Sequence, residues 1–320
     1  MKRPRILVIG DLSTVCLTKA ERFPTPGMTL TAESVTHLPG GTGGKVAVAL
    51  QRLGGECLLC AKVGDDPYAE ELKDFLAEEK IDVRFVGSAP ETATAFENVI
   101  RNGSGEEMRL ICHGAAESLD AYDVEDSFIC YPDALILMGA AIPPDAAEMA
   151  VSYAHDVNIP FFVLTAGRQG LPLPGFAGCE VFSADEEETL MLTGIPPADQ
   201  ERCMKACIAF KQLTRARYVV LRLGERGCFL FDGMYHSFLP AYDVEAPKGE
   251  NSEAVFGAAM VREYLISGGD SKKACETGLL AAAYYLKKGG GFAACPTDKE
   301  LLRFAEENGV ESPFQEKEEE

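Results

Sequence analysis

The sequence predicts an α/β fold with three layers, α-β-α, built on a doubly wound, mostly parallel sheet that carries a small β lid. Three observations point there. The chain has 320 residues and 47% hydrophobic content, enough for one large α/β domain. Apolar runs of strand length alternate with helix-spaced segments, as βαβ units covered by helices on both faces require. Two segments break that alternation and read as extended, polar-alternating chain.

In chain order, the apolar runs 5–9 (RILVI), 57–63 (CLLCAKV), 134–139 (ALILMG), 160–164 (PFFVL), 179–183 (CEVFS) and 218–223 (YVVLRL) read as strands. Between them, 44–53, 66–79, 145–155 and 201–213 carry helical spacing, and the last third ends in helices over 253–267, 271–287 and 298–308. The two breaks, 13–33 and 93–112, leave the same edge of the sheet, the second with a turn at 101–107 (RNGSGEE). They are expected to form one lid, or else a pair of plain surface hairpins. The main unit is then 1–12, 34–92 and 113–320. The charged tail ESPFQEKEEE is expected to fray.

Charge narrows the partners. A formal net charge of −20 repels nucleic acid and anionic membranes, so neither is expected, and a solvated acidic surface in the cytoplasm is the plain reading. The apolar run after MKRPR is too short for a signal segment, and no stretch is long enough to span a bilayer. Eleven cysteines scattered through apolar segments fit reduced cytosolic thiols. Cys57 and Cys60 lie three apart in an expected strand and face opposite sides, which favours core packing over metal binding. The four histidines form no motif with the cysteines, so no zinc site is expected.

The motifs are weak singly. LPGGTGGKVAVALQRLGG, residues 38–55, is a glycine-rich loop entering a helix, and Gly40, Gly41, Gly43 and Gly44 allow a ligand close to the backbone. It lacks the spacing of a P-loop. DEEETLMLTG reads alone as an acidic helix start, and LGERG as a hairpin turn.

Taken in order, these segments with KVGDDPYAEELKDFLAEEKIDVRFV and the helix entrance APKGENSEAVFGAAM closely resemble the ribokinase-like (PfkB-type) carbohydrate kinases, from residue 6 to 302. The resemblance implies ATP and a sugar along the carboxyl ends of the strands, and a lid that closes over the sugar and pairs in a homodimer. The family's N-x-x-E motif falls on Asp185 and Glu188, which implies a Mg²⁺ held at Glu188. Its L-G-x-x-G turn falls on Leu223, Gly224 and Gly227, beside the nucleotide phosphates. GGGFAACPT, residues 289–297, resembles the loop bordering the adenine pocket and a monovalent-cation site. Substrate contacts are implied at Asp11, Ser13, Gly40, Gly41 and Lys45.

The sequence departs from the family at the chemical step. In the D-T-x-G-A-G-D signature, Glu253 stands on the catalytic aspartate, Ser252 and Glu250 on the two glycines, Asn251 on the alanine and Pro247 on the leading aspartate. The glycines' N–H groups would hold the charge of the moving phosphoryl, and one lost donor costs about 10²–10³ in rate. Glu253 is still a carboxylate able to accept a hydroxyl proton, one methylene longer, and equally a favourable acid behind an Asn251 or Ser252 cap. The sugar-gripping aspartate becomes Val15, and the asparagine after the glycine loop becomes Lys45. Together they suggest an anionic or less hydroxylated small molecule, or else drift. Two functions stay open: an ATP-dependent sugar kinase of weakened or redirected activity, and a kinase-fold binding or regulatory protein.

Overall fold

A computed structural model of the chain describes residues 3–138, 142–165, 173–245 and 251–310. Its strands are β1 (Arg5–Ile9), β2 (Ser13–Lys19), β3 (Ser34–Gly40), β4 (Glu56–Val63), β5 (Val86–Ser88), β6 (Ala95–Arg101), β7 (Glu107–Cys112), β8 (Ala134–Met138), β9 (Phe161–Leu164), β10 (Val181–Ala184), β11 (Tyr218–Arg222), β12 (Cys228–Phe231) and β13 (His236–Leu239). The helices are α1 (Thr42–Arg52), α2 (Pro67–Glu78), α3 (Ala121–Ser127), α4 (Pro144–Asp156), α5 (Glu186–Thr193), α6 (Gln200–Thr214), α7 (Glu253–Ile266), α8 (Ser271–Lys287) and α9 (Asp298–Glu307).

Nine strands form one sheet in the order β13-β12-β11-β10-β9-β8-β1-β4-β5. All its pairings are parallel except β11 with β12 and β12 with β13. Strand side chains alternate between faces. Ile6 and Val8 therefore enter the core under α1, α7 and α8, while Leu7 and Ile9 enter a second core with α4 and α6. A sheet buried on both faces is a three-layer fold, as expected.

A second sheet, β3-β2-β6-β7, stands at the carboxyl edge of the first. Its extent corrects the expected boundary at residue 34. β3 pairs with β2 along its whole length, from Ser13 opposite Gly40 to Lys19 opposite Ser34, so that boundary cuts through a hairpin. Asp66, which caps α2 through Ala69 N–H at 3.1 Å, also accepts from Thr94 N–H at 2.8 Å and Thr94 Oγ1 at 2.7 Å, and so fixes the entry of β6. Where β3 meets α1 the backbones nearly touch. Gly41 has φ 90°, and a Cβ there would lie 2.8 Å from Leu12 Cα, so only glycine closes this corner.

Candidate active site

Two groups of side chains gather at the carboxyl edge of the large sheet. The first lies at the root of the small sheet. Asp11 follows β1, and its Oδ1 accepts from Gly43 N–H at 2.8 Å in the first turn of α1. Burial raises its carboxyl above the ordinary range, and the Glu97 charge adds to this. Glu97 sits on β6 directly beside Val15 of β2, and its Oε1 accepts from Ser13 Oγ at 2.8 Å. The carboxylate missing at Val15 thus stands one strand away.

The second group lies where β10 and β11 end and α7 begins. Asp185 and Glu188 form a capping box on α5: Asp185 Oδ1 accepts from Glu188 N–H, and Glu188 Oε2 from Asp185 N–H, both at 2.8 Å. Glu188 Oε2 also accepts from the Thr165 hydroxyl. Into this group reaches Arg222, the last residue of β11. Its Nη1 donates to Ser183 Oγ at 2.9 Å, and its Nη2 to Glu188 Oε2 at 3.0 Å and Glu253 Oε2 at 3.1 Å. Arg222 and Glu188 are both buried, with relative exposures of 8% and 2%.

Glu253 opens α7. Gly257, one turn on, packs against Leu164 at the end of β9, which sets the helix start over the ends of β9–β11. Burial pushes the Glu253 carboxyl up to about 7; Arg222 pulls it down, and Glu188 and Asp185 push it further up. The Glu253 N–H donates to Asn251 Oδ1 at 2.8 Å, so Asn251 caps this turn. Ser252 has φ −96°, outside the left-handed region. Glu250 and Pro247 lie outside the described residues.

The oxygens of Asp185, Glu188 and Glu253 approach within 4.8 Å of one another, a spacing that suits a hard cation. The arrangement as it stands does not fit one. Magnesium needs about 2.0–2.1 Å to its oxygens, and the wedge between Glu188 Oε2 and Glu253 Oε2 already holds Arg222 Nη2. Glu188, the expected metal ligand, is met here as the partner of an arginine.

The remaining expected residues divide clearly. Gly224 and Gly227 shape the turn between β11 and β12, with φ 54° and 102°. Leu223 N–H closes it on Gly227 O at 2.8 Å, and the Leu223 side chain is buried. Arg226 ties this turn to Pro197 O at 2.7 Å, Ala198 O at 3.0 Å and Glu186. Lys45 does not join the Asp11 group: its Nζ lies 5.8 Å over the Tyr285 ring of α8. In the loop expected to border a monovalent cation, the carbonyls of Phe292, Ala293 and Cys295 accept from Arg52 Nη1 at 3.0, 3.3 and 3.0 Å. Sequence reasoning missed Arg222 and Glu97. Each had a signal: Arg222 is a charge inside the apolar run YVVLRL, and Glu97 follows the apolar pair Ala95–Phe96 in a strand-like segment.

A doubly wound sheet with carboxylates and glycine turns at its carboxyl edge, overlaid there by a small sheet, defines the ribokinase-like class. The chain belongs to the pfkB family of carbohydrate kinases, whose pattern matches residues 3–249. It is 26% identical over 306 residues to the ribokinase of Haemophilus influenzae, covering 95% of this chain and 99% of that one. To the deoxyribokinase of Salmonella typhi it is 24% identical over 307 residues, covering 93% and 98%. Among solved structures, Arabidopsis thaliana ribokinase complexed with ribose and ATP superposes with a TM-score of 0.85 at 19% identity, covering 95% of this chain and 99% of that one.

Proposed function

We propose that the protein phosphorylates a hydroxyl of a sugar or sugar-like molecule with ATP. The observation that carries this reading is the Glu253 carboxylate at the start of α7, held with Glu188 on Arg222 at the carboxyl ends of β10 and β11. In sheet order β1 and β11 are four strand spacings apart, about 19 Å. That separation gives one site a sugar end at Asp11, Ser13, Gly40 and Gly41 and a nucleotide end at the Gly224–Gly227 turn. The relatives named ribokinase and deoxyribokinase, and the solved complex with ribose and ATP, support the same pairing.

In this mechanism Glu253 accepts the proton of the acceptor hydroxyl as its oxygen attacks the γ-phosphorus in line. The bond to the leaving ADP oxygen breaks, and the sugar departs as a phosphate ester. Positioning and charge supply most of the rate. Asn251 already takes one N–H of the α7 start, which predicts slow turnover. Asp11 and Glu97 are acceptors that suit hydroxyl donors, so the substrate is neutral and hydroxylated. The anionic substrate suggested by Val15 and Lys45 loses its support, because Lys45 faces Tyr285.

The proposed setting is a reducing cytoplasm, in keeping with eleven free cysteines, and the proposed assembly is a homodimer through the small sheet. Among the described residues no helix is long and apolar enough to cross a membrane. The test is transfer of the γ-phosphoryl of ATP to ribose, deoxyribose, other neutral sugars and sugar acids. Neutral sugars are expected to react, and Glu253→Gln to lower kcat by about 10²–10⁴. No phosphorylated product from any member of that panel overturns the reading.

A further inference from the structure

Arg222 is placed by the sheet rather than by a loose loop. β10 and β11 run in register, Ala184 beside Leu221, so Arg222, still paired with Cys228 of β12, lies next to Asp185 just past the end of β10. The guanidinium then has three fixed partners, Ser183, Glu188 and Glu253. Glu188 Oε2 receives donors from Arg222, Asp185 N–H and Thr165. An oxygen with three donors has no lone-pair direction left for a metal, so Oε2, the Glu188 oxygen that faces Glu253 across Arg222, is closed to one. A buried arginine is held only by carboxylates that cannot leave it cheaply, because breaking such a pair strands a charge in low dielectric.

We infer that Arg222 is the resident cation of this cluster: it holds the wedge between Glu188 and Glu253, and the protein without nucleotide takes no divalent cation at Asp185, Glu188 and Glu253. The inference deepens the reading of this cluster as the phosphoryl-transfer site. Any divalent ion then enters on the triphosphate oxygens instead of on Glu188. The guanidinium is a protein cation already paired with two of the three carboxylates, Glu188 and Glu253.

The test uses Mn²⁺ alone, with neither nucleotide nor sugar, so failure of turnover leaves it untouched. Free Mn²⁺ is followed by electron paramagnetic resonance against wild type, Glu188→Gln, Arg222→Met and the Arg222→Met/Glu188→Gln double variant. Thermal melts establish that each is folded. A chain of net charge −20 binds Mn²⁺ diffusely, so the readout is the equivalent that Glu188→Gln removes. Wild type and Glu188→Gln are expected to bind alike. Arg222→Met is expected to gain one equivalent at least tenfold tighter than the diffuse background, and the double variant to lose it. A wild-type equivalent removed by Glu188→Gln overturns the inference, as does a folded Arg222→Met that gains none. Should Arg222→Met fail to fold, the comparison of wild type with Glu188→Gln decides alone.

Discussion

Glu253 titrates in a place where burial and two neighbouring acids oppose one arginine. Its folded carboxyl lies at about 7, against an ordinary value of 4.5. The folded chain therefore keeps this proton to higher pH than the unfolded chain does. The resulting stabilisation is complete below about pH 4.5 and is lost as pH rises through about 7, on the order of 3 kcal/mol in all. Glu253→Gln removes the titration. Its stability relative to wild type should rise from pH 5 to pH 8.5 in urea-unfolding curves, and a flat difference excludes the raised carboxyl. Arg222→Met strands Glu188 in the core and should destabilise by about 3–5 kcal/mol. Adding Glu188→Gln should restore part of that, whereas additive losses exclude the ion pair as the cause. Neither effect was legible in the sequence. Glu253 was found from its register in a known motif, but its titration depends on Arg222, thirty-one positions earlier in the chain. A lone charge inside an apolar strand run gives no partner until β10 and β11 lie side by side.

Elements were legible where the periodicity was long, and illegible where short strands depend on pairing. β1, β4, β8, β9, β10 and β11 all coincide, to within a residue or two at an end, with runs read as strands, because a parallel strand buried on both faces is apolar throughout. β12 and β13 have four residues each and were missed; they exist as antiparallel additions beyond β11. β3 was misplaced because SVTHLPG is largely exposed and short of apolar residues, so only its pairing with β2 marks it as strand. In the turn between β11 and β12, the two glycines differ in what a side chain would meet. A Cβ on Gly227, at φ 102°, would lie 2.0 Å from Leu239 O, while one on Gly224 meets nothing nearer than Glu186 Oε2 at 3.6 Å. Gly227→Ala should therefore destabilise by about 1–3 kcal/mol. Gly224→Ala should lose only about 1 kcal/mol and mainly weaken ATP binding, read by calorimetry. Equal stability losses with unchanged ATP affinity would remove Gly224 from the nucleotide site.

At the scale of the whole molecule, the small sheet has two faces with different work. Ser13, Val15 and Glu97 share one face, as the strand register requires. The other face carries His37 and Phe96, whose rings pack on Tyr68 of α2 at 5.6 Å for both contacts with Tyr68. Beyond that contact the same face presents Val35, Met108 and Leu110 to solvent, with exposures of 56%, 45% and 67%. Val35 and Met108 sit on the two edge strands with Thr18 and Ile100 between them in register, a row that a second copy can cover. The proposed homodimer buries this face, which explains why a strongly acidic chain keeps so apolar a patch at one end. Light scattering after size exclusion should give a dimer at tens of micromolar. Met108→Glu with Leu110→Glu should give a monomer that melts like a folded protein. A wild-type monomer at that concentration refutes this assembly, and so does a double variant that still dimerises, since the contact then lies elsewhere on the molecule.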